Sequence, residues 1–184
     1  MIMAFNAKRK ITTGKVRLSY ANLFEPKAPI NGEGDPQYSV CILIPKEDAE
    51  TVAAIKEAIK AAHEDGLSRF FNGKKLPASA LELLHDGDEK DDPAYEGHWF
   101  MNTKTKEAPK IVDRNLQPII DPDEVYSGCY GRVSVIFNPY NIGNVKKGIR
   151  AKLLAVQKVA DGERFGSVYD ASRDFDVVSD KDFM

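Results

Sequence analysis

Alternation of apolar and polar residues, repeated in separate parts of the chain, is the feature that most limits the fold. In residues 130–137, Val133, Val135 and Phe137 lie on one face of an extended chain, and the even-numbered positions lie on the other. The segments Lys15–Tyr20 and Ile149–Leu153 have the same period of two. Because successive side chains of a β-strand point to opposite faces, this pattern predicts half-buried strands.

An apolar run and a helical pattern supply two further elements. Tyr38–Ile44 is rich in β-branched residues and ends at Pro45, which predicts a central strand. Apolar residues at helical spacing begin near Asp48 and continue to about His63, and Gly66 is expected to stop the helix. The sequence therefore contains one substantial helix, whose apolar stripe should pack on a sheet.

The connections between these elements are rich in glycine and proline. Residues 25–36 and Pro139–Gly148 are predicted loops, while Trp99–Thr103 and Pro109–Arg114 are predicted to form a hairpin around a polar turn. The later part of Ile149–Val159 is compatible with a strand or a helix. Five or six strands, one helix and long loops favour a mainly β, OB-fold-like Greek-key barrel over a βαβ sheet.

A length of 184 residues predicts a single domain. We assign residues 1–169 to it, with residues 1–10 as a mobile basic arm. Residues 170–184 are predicted to be a mobile acidic tail, because they hold too little apolar surface to offset the entropy of ordering. The sequence has no apolar run long enough to span a membrane and no secretory signal at its N-terminus, so we expect a soluble, cytoplasmic protein.

Charge is sorted along the chain, although the formal net charge is only −2. Residues 1–24 hold five bases and residues 125–160 hold six, and neither segment contains an acid. Residues 82–124, by contrast, carry 12 acids and five bases. If the two acid-free segments lie side by side in the fold, they produce a surface of strongly positive potential. This asymmetry predicts a polyanionic partner.

The sequence lacks the motifs of common catalytic and cofactor sites. It contains neither a GxxxxGK[ST] phosphate loop nor a GxGxxG fingerprint, which argues against nucleotide chemistry. The three histidines lack metal-ligand spacing, and Cys41 lies in an apolar segment where a thiolate would be costly. We therefore expect no enzymatic activity, no metal and no cofactor. The enzymatic alternative is a metal-dependent nuclease that uses carboxylates of residues 86–92, or those near Asp113 and Asp121.

The basic segments and their neighbours contain both residue types that hold single-stranded nucleic acid. Cations neutralise phosphates, and flat rings stack bases for about 1 to 3 kcal/mol each. The candidate phosphate contacts are Lys8, Arg9, Lys10, Lys15, Arg17, Arg132, Lys146, Lys147, Arg150 and Lys152. The candidate stacking residues are Trp99, Phe100, Tyr126, Tyr130 and Tyr140. Alternation places Tyr130 outside the core, whereas Tyr20 and Phe137 are predicted core residues, and one of Trp99 and Phe100 is expected to point outward.

Three longer segments are similar to a known family. They are GHWFMNTKTKEAPKIVD (97–113), DEVYSGCYGRVSVIFNPYN (123–141) and KKGIRAKLLAVQKVADGERFG (146–166). They resemble a family of bacteriophage single-stranded-DNA-binding proteins with an OB-fold, which also occurs in prophages, and GKVRLSYANLFEPKA agrees with it. The resemblance implies protection of single-stranded DNA during phage replication, recombination or repair, without catalysis.

The C-terminal tail is similar to acidic, aromatic-containing tails of this class that recruit replication or recombination partners. Its candidate partner-binding residues are Asp174, Asp176, Asp180, Asp182 and Phe183. Such a tail can also compete with DNA for the basic face of its own protein. A further alternative is a protein-interaction component without affinity for nucleic acid. The sequence leaves open the choice between DNA and RNA and the oligomeric state, a dimer included.

Overall fold

A computed structural model describes residues 5–166 and 174–183. Its helix α1 spans Ala49–Arg69. Its strands are β1 Phe5–Ala7, β2 Lys10–Thr12, β3 Val16–Lys27, β4 Gln37–Pro45, β5 His85–Asp86, β6 His98–Thr105, β7 Lys110–Val112, β8 Tyr130–Ile142 and β9 Lys146–Ala160. Five long strands thus meet the lower predicted count. Of the four short strands of two or three residues, β7 lies within the predicted strand at Pro109–Arg114, whereas β1, β2 and β5 were not predicted.

The five long strands close into a barrel. Strand β3 pairs with β4 and β8, β4 pairs with β6, and β8 pairs with β9, all antiparallel. The ring is closed by one parallel pair, Lys104 of β6 with Lys152 of β9. This connectivity is the Greek-key arrangement of an OB-type barrel, in which the fourth and fifth strands return beside the first and third. The predicted OB-fold-like barrel is therefore confirmed.

The core follows the alternation of the sequence in β8. Val133, Val135 and Phe137 are fully buried, while Tyr130 and Arg132 are half-buried on the outer face. Burial of such apolar side chains contributes about 1.5 to 3 kcal/mol each, which makes the inward face the main source of stability. The outer face of the barrel is left for polar and charged residues.

Helix α1 begins where the sequence predicts but ends later. Asp48 caps it by accepting the backbone N–H of Thr51 at 3.1 Å. Gly66 does not stop the helix, because the helix continues to Arg69. A Cβ at Gly66 would lie 2.6 Å from the Cβ of Pro139 and 2.7 Å from the ring of Phe71. The glycine therefore allows close packing of the helix against β8.

Two predicted connections are wrong. The segment Pro139–Gly148 is not a loop, since β8 and β9 form a long hairpin whose turn comprises only residues 143–145. Strand β9 is also extended throughout. Strands β6 and β7 do not form a hairpin with each other, because β7 pairs in parallel with residues 155–157 of β9. Both β6 and β7 lie along the same edge of β9, so the chain continues between them without reversing.

The described parts of both chain termini contain short elements. Strand β1 lies in the predicted basic arm and forms a hairpin with β2, which starts at the last residue of that arm, Lys10, and pairs with β8 beside β3. The two acid-free segments are thus neighbours in the sheet.

In the tail, residues 174–181 are exposed and Asp180–Phe183 forms a single 3-10 turn. The predicted domain boundary at residue 169 falls outside the described residues. No helix in the described ranges is long and apolar enough to span a membrane.

Candidate nucleic-acid interface

A groove of about 640 Å³ crosses the outer face of the barrel, between β4, β6 and the β8–β9 hairpin. We call it the barrel groove. It is lined by Tyr20, Gln37, Ser39, Val40, Cys41, Leu83, Asn102, Thr103, Lys104, Tyr140, Ile142, Lys146, Ile149, Arg150 and Ala151. Its charged residues are three bases, Lys104, Lys146 and Arg150, and its lining contains no acid. The groove is therefore wholly cationic.

The cations of the barrel groove are available to a ligand. Lys104, Lys146 and Arg150 form no ion pair with any residue that the structure describes. The guanidinium of Arg150 lies 4.3 Å from the ring centroid of Tyr140. Gly148, which pairs with Tyr140 across the hairpin, leaves room for this ring, because a Cβ there would lie 2.9 Å from the Tyr140 hydroxyl. Charge and an aromatic ring are thus combined on one hairpin.

The cationic surface continues into a second groove of about 540 Å³, which we call the hairpin groove. The two grooves share Lys104, Tyr140 and Arg150 among their lining residues. The hairpin groove adds Lys106 and Lys152, and its one acid is Glu107. The Lys152 ammonium lies 3.5 Å from the Glu107 carboxylate in a largely exposed pair, which water and salt screen strongly.

A third cavity of about 890 Å³, the flank groove, adjoins the barrel groove on the other side. Its basic residues are Arg17 and Arg164, and its acids are Asp92 and Glu163. The guanidinium of Arg17 donates to the carbonyls of Gly128 at 2.9 Å and Glu163 at 2.7 Å. The flank groove therefore has balanced charge, and Arg17 already donates hydrogen bonds to backbone carbonyls.

Tyr20 lines both the barrel groove and the flank groove. Its side chain is 66% exposed, so the prediction that it belongs to the core is wrong. The backbone φ of Tyr20 is +47°, in the left-handed region that large side chains rarely adopt. The alternation of β3 is interrupted at this position. Sequence periodicity carries no signal for such an interruption.

The acidic segment between α1 and β6 is anchored to the barrel. The Lys46 ammonium donates to the carboxylates of Asp86 and Asp88, each at 2.6 Å, and these hydrogen bonds hold the pKa of both carboxyls below the usual range. Tyr95 lies over Cys41, and burial raises the pKa of both groups. Cys41 is thus a buried structural thiol, as expected.

Five of the carboxylates suggested for a nuclease are engaged by other groups of the protein. In addition to the two that bind Lys46, Asp92, Asp113 and Asp121 each accept backbone N–H groups in local turns. Among the residues described, no group of three or more potential ligands is placed to hold a metal ion. The nuclease alternative therefore gains no support.

The predicted phosphate contacts separate into two sets. Lys146, Arg150 and Lys152 line the barrel or hairpin groove, and Arg17 lines the flank groove. The remaining candidates line none of the three grooves: Lys8, Arg9, Lys10, Lys15, Arg132 and Lys147. Arg9 contacts Asp65 at 3.3 Å, and Arg132 donates to the Thr13 carbonyl at 3.0 Å. Lys104, which alternation exposes on β6, was missed.

Of the predicted stacking residues, Tyr140 alone lines these grooves. Trp99 and Phe100 are both half-buried, because Trp99 packs against the main core and Phe100 packs under Tyr95. The Tyr126 hydroxyl donates to Asp161 at 2.9 Å. The ring of Tyr130 lies beneath Lys15 and Arg17, at 5.3 and 5.4 Å. Phe165, in the flank groove, was not predicted.

None of the described tail residues lines any of the three grooves. Asp174, Asp176 and Asp180 are exposed in the described part of the tail. The side chains of Asp182 and Phe183 fall outside the described positions. The structure therefore gives the tail no defined docking position.

The barrel and its grooves define a class of protein. The barrel groove occupies the outer face of the second and third barrel strands together with the hairpin between the fourth and fifth, where OB-folds bind oligonucleotides or oligosaccharides. The family model described as "Enterobacter phage Enc34, ssDNA-binding protein" matches residues 9–184. The chain belongs to this family.

Individual relatives agree with this assignment. "Putative protein p50" of Acyrthosiphon pisum secondary endosymbiont phage 1 is 33% identical over 179 residues, covering 92% of this chain and 94% of p50. The single-stranded DNA-binding protein from bacteriophage Enc34 in complex with ssDNA matches with a TM-score of 0.72 and 26% identity, over 90% of this chain and 98% of that one. Gp2.5, a single-stranded DNA binding protein encoded by bacteriophage T7, has the same fold, with a TM-score of 0.59 and 21% identity over 94% of this chain and 100% of that one.

Proposed function

We propose that this protein binds single-stranded DNA without reading its sequence. The observation that carries the proposal is the barrel groove, which is lined by three unpaired cationic side chains and by Tyr140. Family membership supports the choice of ligand, since the family is that of a phage ssDNA-binding protein. The lysine and arginine side chains neutralise phosphates, and the tyrosine ring stacks on a nucleobase.

The composition of the grooves accounts for the absence of sequence selection. Stacking on an aromatic ring tolerates every base because each base has a flat π-face, and lysine and arginine contacts with phosphates carry no sequence information. The path we propose runs from the hairpin groove through the barrel groove to the flank groove. Tyr140 and Arg150 are shared by the first two, and Tyr20 is shared by the last two.

The biological role that fits this activity is protection of exposed DNA strands during phage DNA replication, recombination or repair in the cytoplasm of the host. Coating a strand requires binding alone, so we assign no catalytic residue and no metal. The exposed aspartates at 174, 176 and 180 give the tail a charge opposite to that of the barrel groove. We assign to the tail the recruitment of partner proteins or competition with DNA for that groove.

The test is a titration of fluorescently labelled oligo-dT, mixed-sequence single strands and the matching duplex, followed by anisotropy without added metal. We expect preference for the single strands over the duplex and similar affinity for the single-stranded sequences. With about six phosphates neutralised, log K should fall with log[salt] with a slope of about −4. A slope near zero, or no binding at moderate salt, would reject the proposal and favour the protein-interaction alternative.

A further inference from the structure

Tyr20 is an extra residue in the barrel wall. Between Ser19 and Asn22 of β3 there are two residues, whereas a single residue, Val40, lies between their partners Cys41 and Ser39 on β4. Two residues opposite one is the definition of a β-bulge, which bends a strand and redirects a side chain. The inward positions of β3 change from even to odd numbers there. Val16 and Leu18 are buried before the bulge and Leu23 is buried after it.

The bulge is held from both sides. The Ser19 hydroxyl, buried before it, lies 3.0 Å from the Tyr95 hydroxyl. After it, the backbone N–H of Ala21 donates to the Ser127 hydroxyl at 3.0 Å, and the Asn22 amide donates to the Tyr20 carbonyl at 3.1 Å. These contacts fix the backbone around a φ of +47°. A glycine or an asparagine would meet this backbone requirement with less strain than a tyrosine.

The chain thus keeps a large aromatic ring where both the backbone and the solvent disfavour it. Residues held in sparsely populated backbone conformations cluster at ligand-binding positions, where the surrounding structure enforces them. The ring of Tyr20 stands at the junction of the barrel and flank grooves. The Lys90 ammonium lies 5.6 Å from its centroid and also approaches the rings of Tyr95, at 4.2 Å, and Phe100, at 5.1 Å.

We propose that Tyr20 is a base-stacking residue at the bend between the barrel and flank grooves, presented by the bulge and steadied by Lys90. The inference rests on the proposed function, because a base must reach the groove for Tyr20 to stack it. The contact with Lys90 leaves the ring 66% exposed, so a base has access to it. The cation beside the ring also reduces repulsion from the phosphates that flank a stacked base.

The test compares Tyr20→Gly with the parent chain by oligo-dT titration at several salt concentrations and by thermal unfolding. Glycine removes the ring and also the strain at positive φ. We expect affinity to fall by about tenfold, as for the loss of one stacked base. We expect an unchanged salt slope, because no charge is lost, and a melting temperature equal to or above that of the parent. Tyr20→Phe should bind like the parent.

Leu116→Gly is the matched control. Leu116 is 69% exposed and has a φ of +64°, but it lines none of the three grooves. It should change melting in the same direction as Tyr20→Gly and leave affinity unchanged. Tyr20→Asn, which also suits a positive φ, provides a second ring-deleting variant should the glycine variant fail to fold.

The outcomes separate this inference from the proposed function. Parent-like affinity of Tyr20→Gly or Tyr20→Asn in a chain that binds DNA overturns the role of Tyr20 alone. Equal loss in Leu116→Gly, or a reduced salt slope in Tyr20→Gly, also overturns it, because either result shows an effect other than stacking. A parent chain that does not bind single strands overturns both.

Discussion

Two arginine–aromatic pairs on the outer face of the barrel have the same stacking distance and different surroundings. In the barrel groove, the Arg150 guanidinium lies 4.3 Å from the ring centroid of Tyr140, and in the flank groove, that of Arg17 lies 4.3 Å from Phe165. Arg17 donates to two backbone carbonyls, whereas the Arg150 guanidinium makes no hydrogen bond to a described residue.

The hydrogen bonds of the two arginines differ, and this difference separates a structural cation from a proposed binding cation. A guanidinium has five N–H donors in a fixed plane, and those already given to carbonyls contribute to folding rather than to a ligand. The carbonyl partners of Arg17 belong to Gly128 and Glu163, which lie far apart in sequence, so Arg17 joins two loops. The donors of Arg150 make no hydrogen bond to a described residue, so they remain available for the phosphate contacts that we propose. We therefore expect replacement of Arg17 to lower stability and replacement of Arg150 to lower DNA affinity.

The largest expected effect is on DNA binding, from removal of the free cations. The combined variant Lys104→Gln, Lys146→Gln and Arg150→Gln should lose about 100-fold in affinity at 0.1 M salt and reduce the salt slope by about 2. Anisotropy with labelled oligo-dT measures both quantities. A variant that keeps the salt slope of the parent would show that the phosphates bind elsewhere and that Arg150 is not a DNA-binding cation.

The next effect is on stability, from removal of the structural cation. Arg17→Ala loses two hydrogen bonds from a charged group and should lower the free energy of unfolding by about 2 kcal/mol. For a chain of this size, the melting temperature should fall by about 4 to 8 °C. Arg150→Ala is the matched control and should melt like the parent. Equal melting of the two variants would contradict the structural role of Arg17.

Removal of single rings extends the comparison to the aromatic partners. Tyr140→Ala should weaken oligo-dT binding by about 1 kcal/mol, close to fivefold, with little change in melting, because its ring faces the grooves. Tyr130→Ala should instead lower the melting temperature, because its ring packs beneath Lys15 and Arg17. Measurement of DNA affinity and melting temperature for both variants tests whether Tyr140 serves binding and Tyr130 serves stability. A binding defect confined to Tyr130→Ala would move the stacking site to the flank.

The smallest expected effect concerns the tail. Deletion of residues 170–184 should tighten oligo-dT binding by less than any change above, since the tail aspartates would no longer compete for the free cations of the barrel groove. The gain should disappear in the triple glutamine variant, which lacks those cations. Persistence of the gain in that variant would show that the tail acts at another surface, and unchanged affinity of the truncated parent would remove its competitive role.

Sequence patterns predicted the barrel and the core of β8, because alternation is a local property of the chain. They failed at Tyr20, since one inserted residue in a bulge shifts the parity of every later position without changing composition. They also failed for β6 and β7, because a strand of three residues takes its pairing partner from the tertiary structure. Alternation exposes Lys104 on β6, so the sequence contained enough information to include Lys104 among the candidate phosphate contacts.

Local sequence patterns could not predict whether a particular cation binds the protein's own backbone or remains free. Charge sorting predicted a basic surface on the condition that residues 1–24 and 125–160 lie side by side, and β2 and β3 do lie beside β8. Whether a particular arginine is free depends on carbonyls that the fold delivers from elsewhere. Arg17 and Arg150 are alike in sequence terms, and only their partners separate them.

The single parallel pair between Lys104 and Lys152 that closes β6 against β9 has a consequence for motion. Local opening at a boundary with so few hydrogen bonds requires less free energy than global unfolding, so amide hydrogens there should exchange with solvent faster than those between β3 and β4. Because Lys104 and Arg150 stand on opposite sides of this boundary, a strand bound to both would hold it shut. Slower hydrogen exchange at this position would then report DNA binding from within the barrel wall.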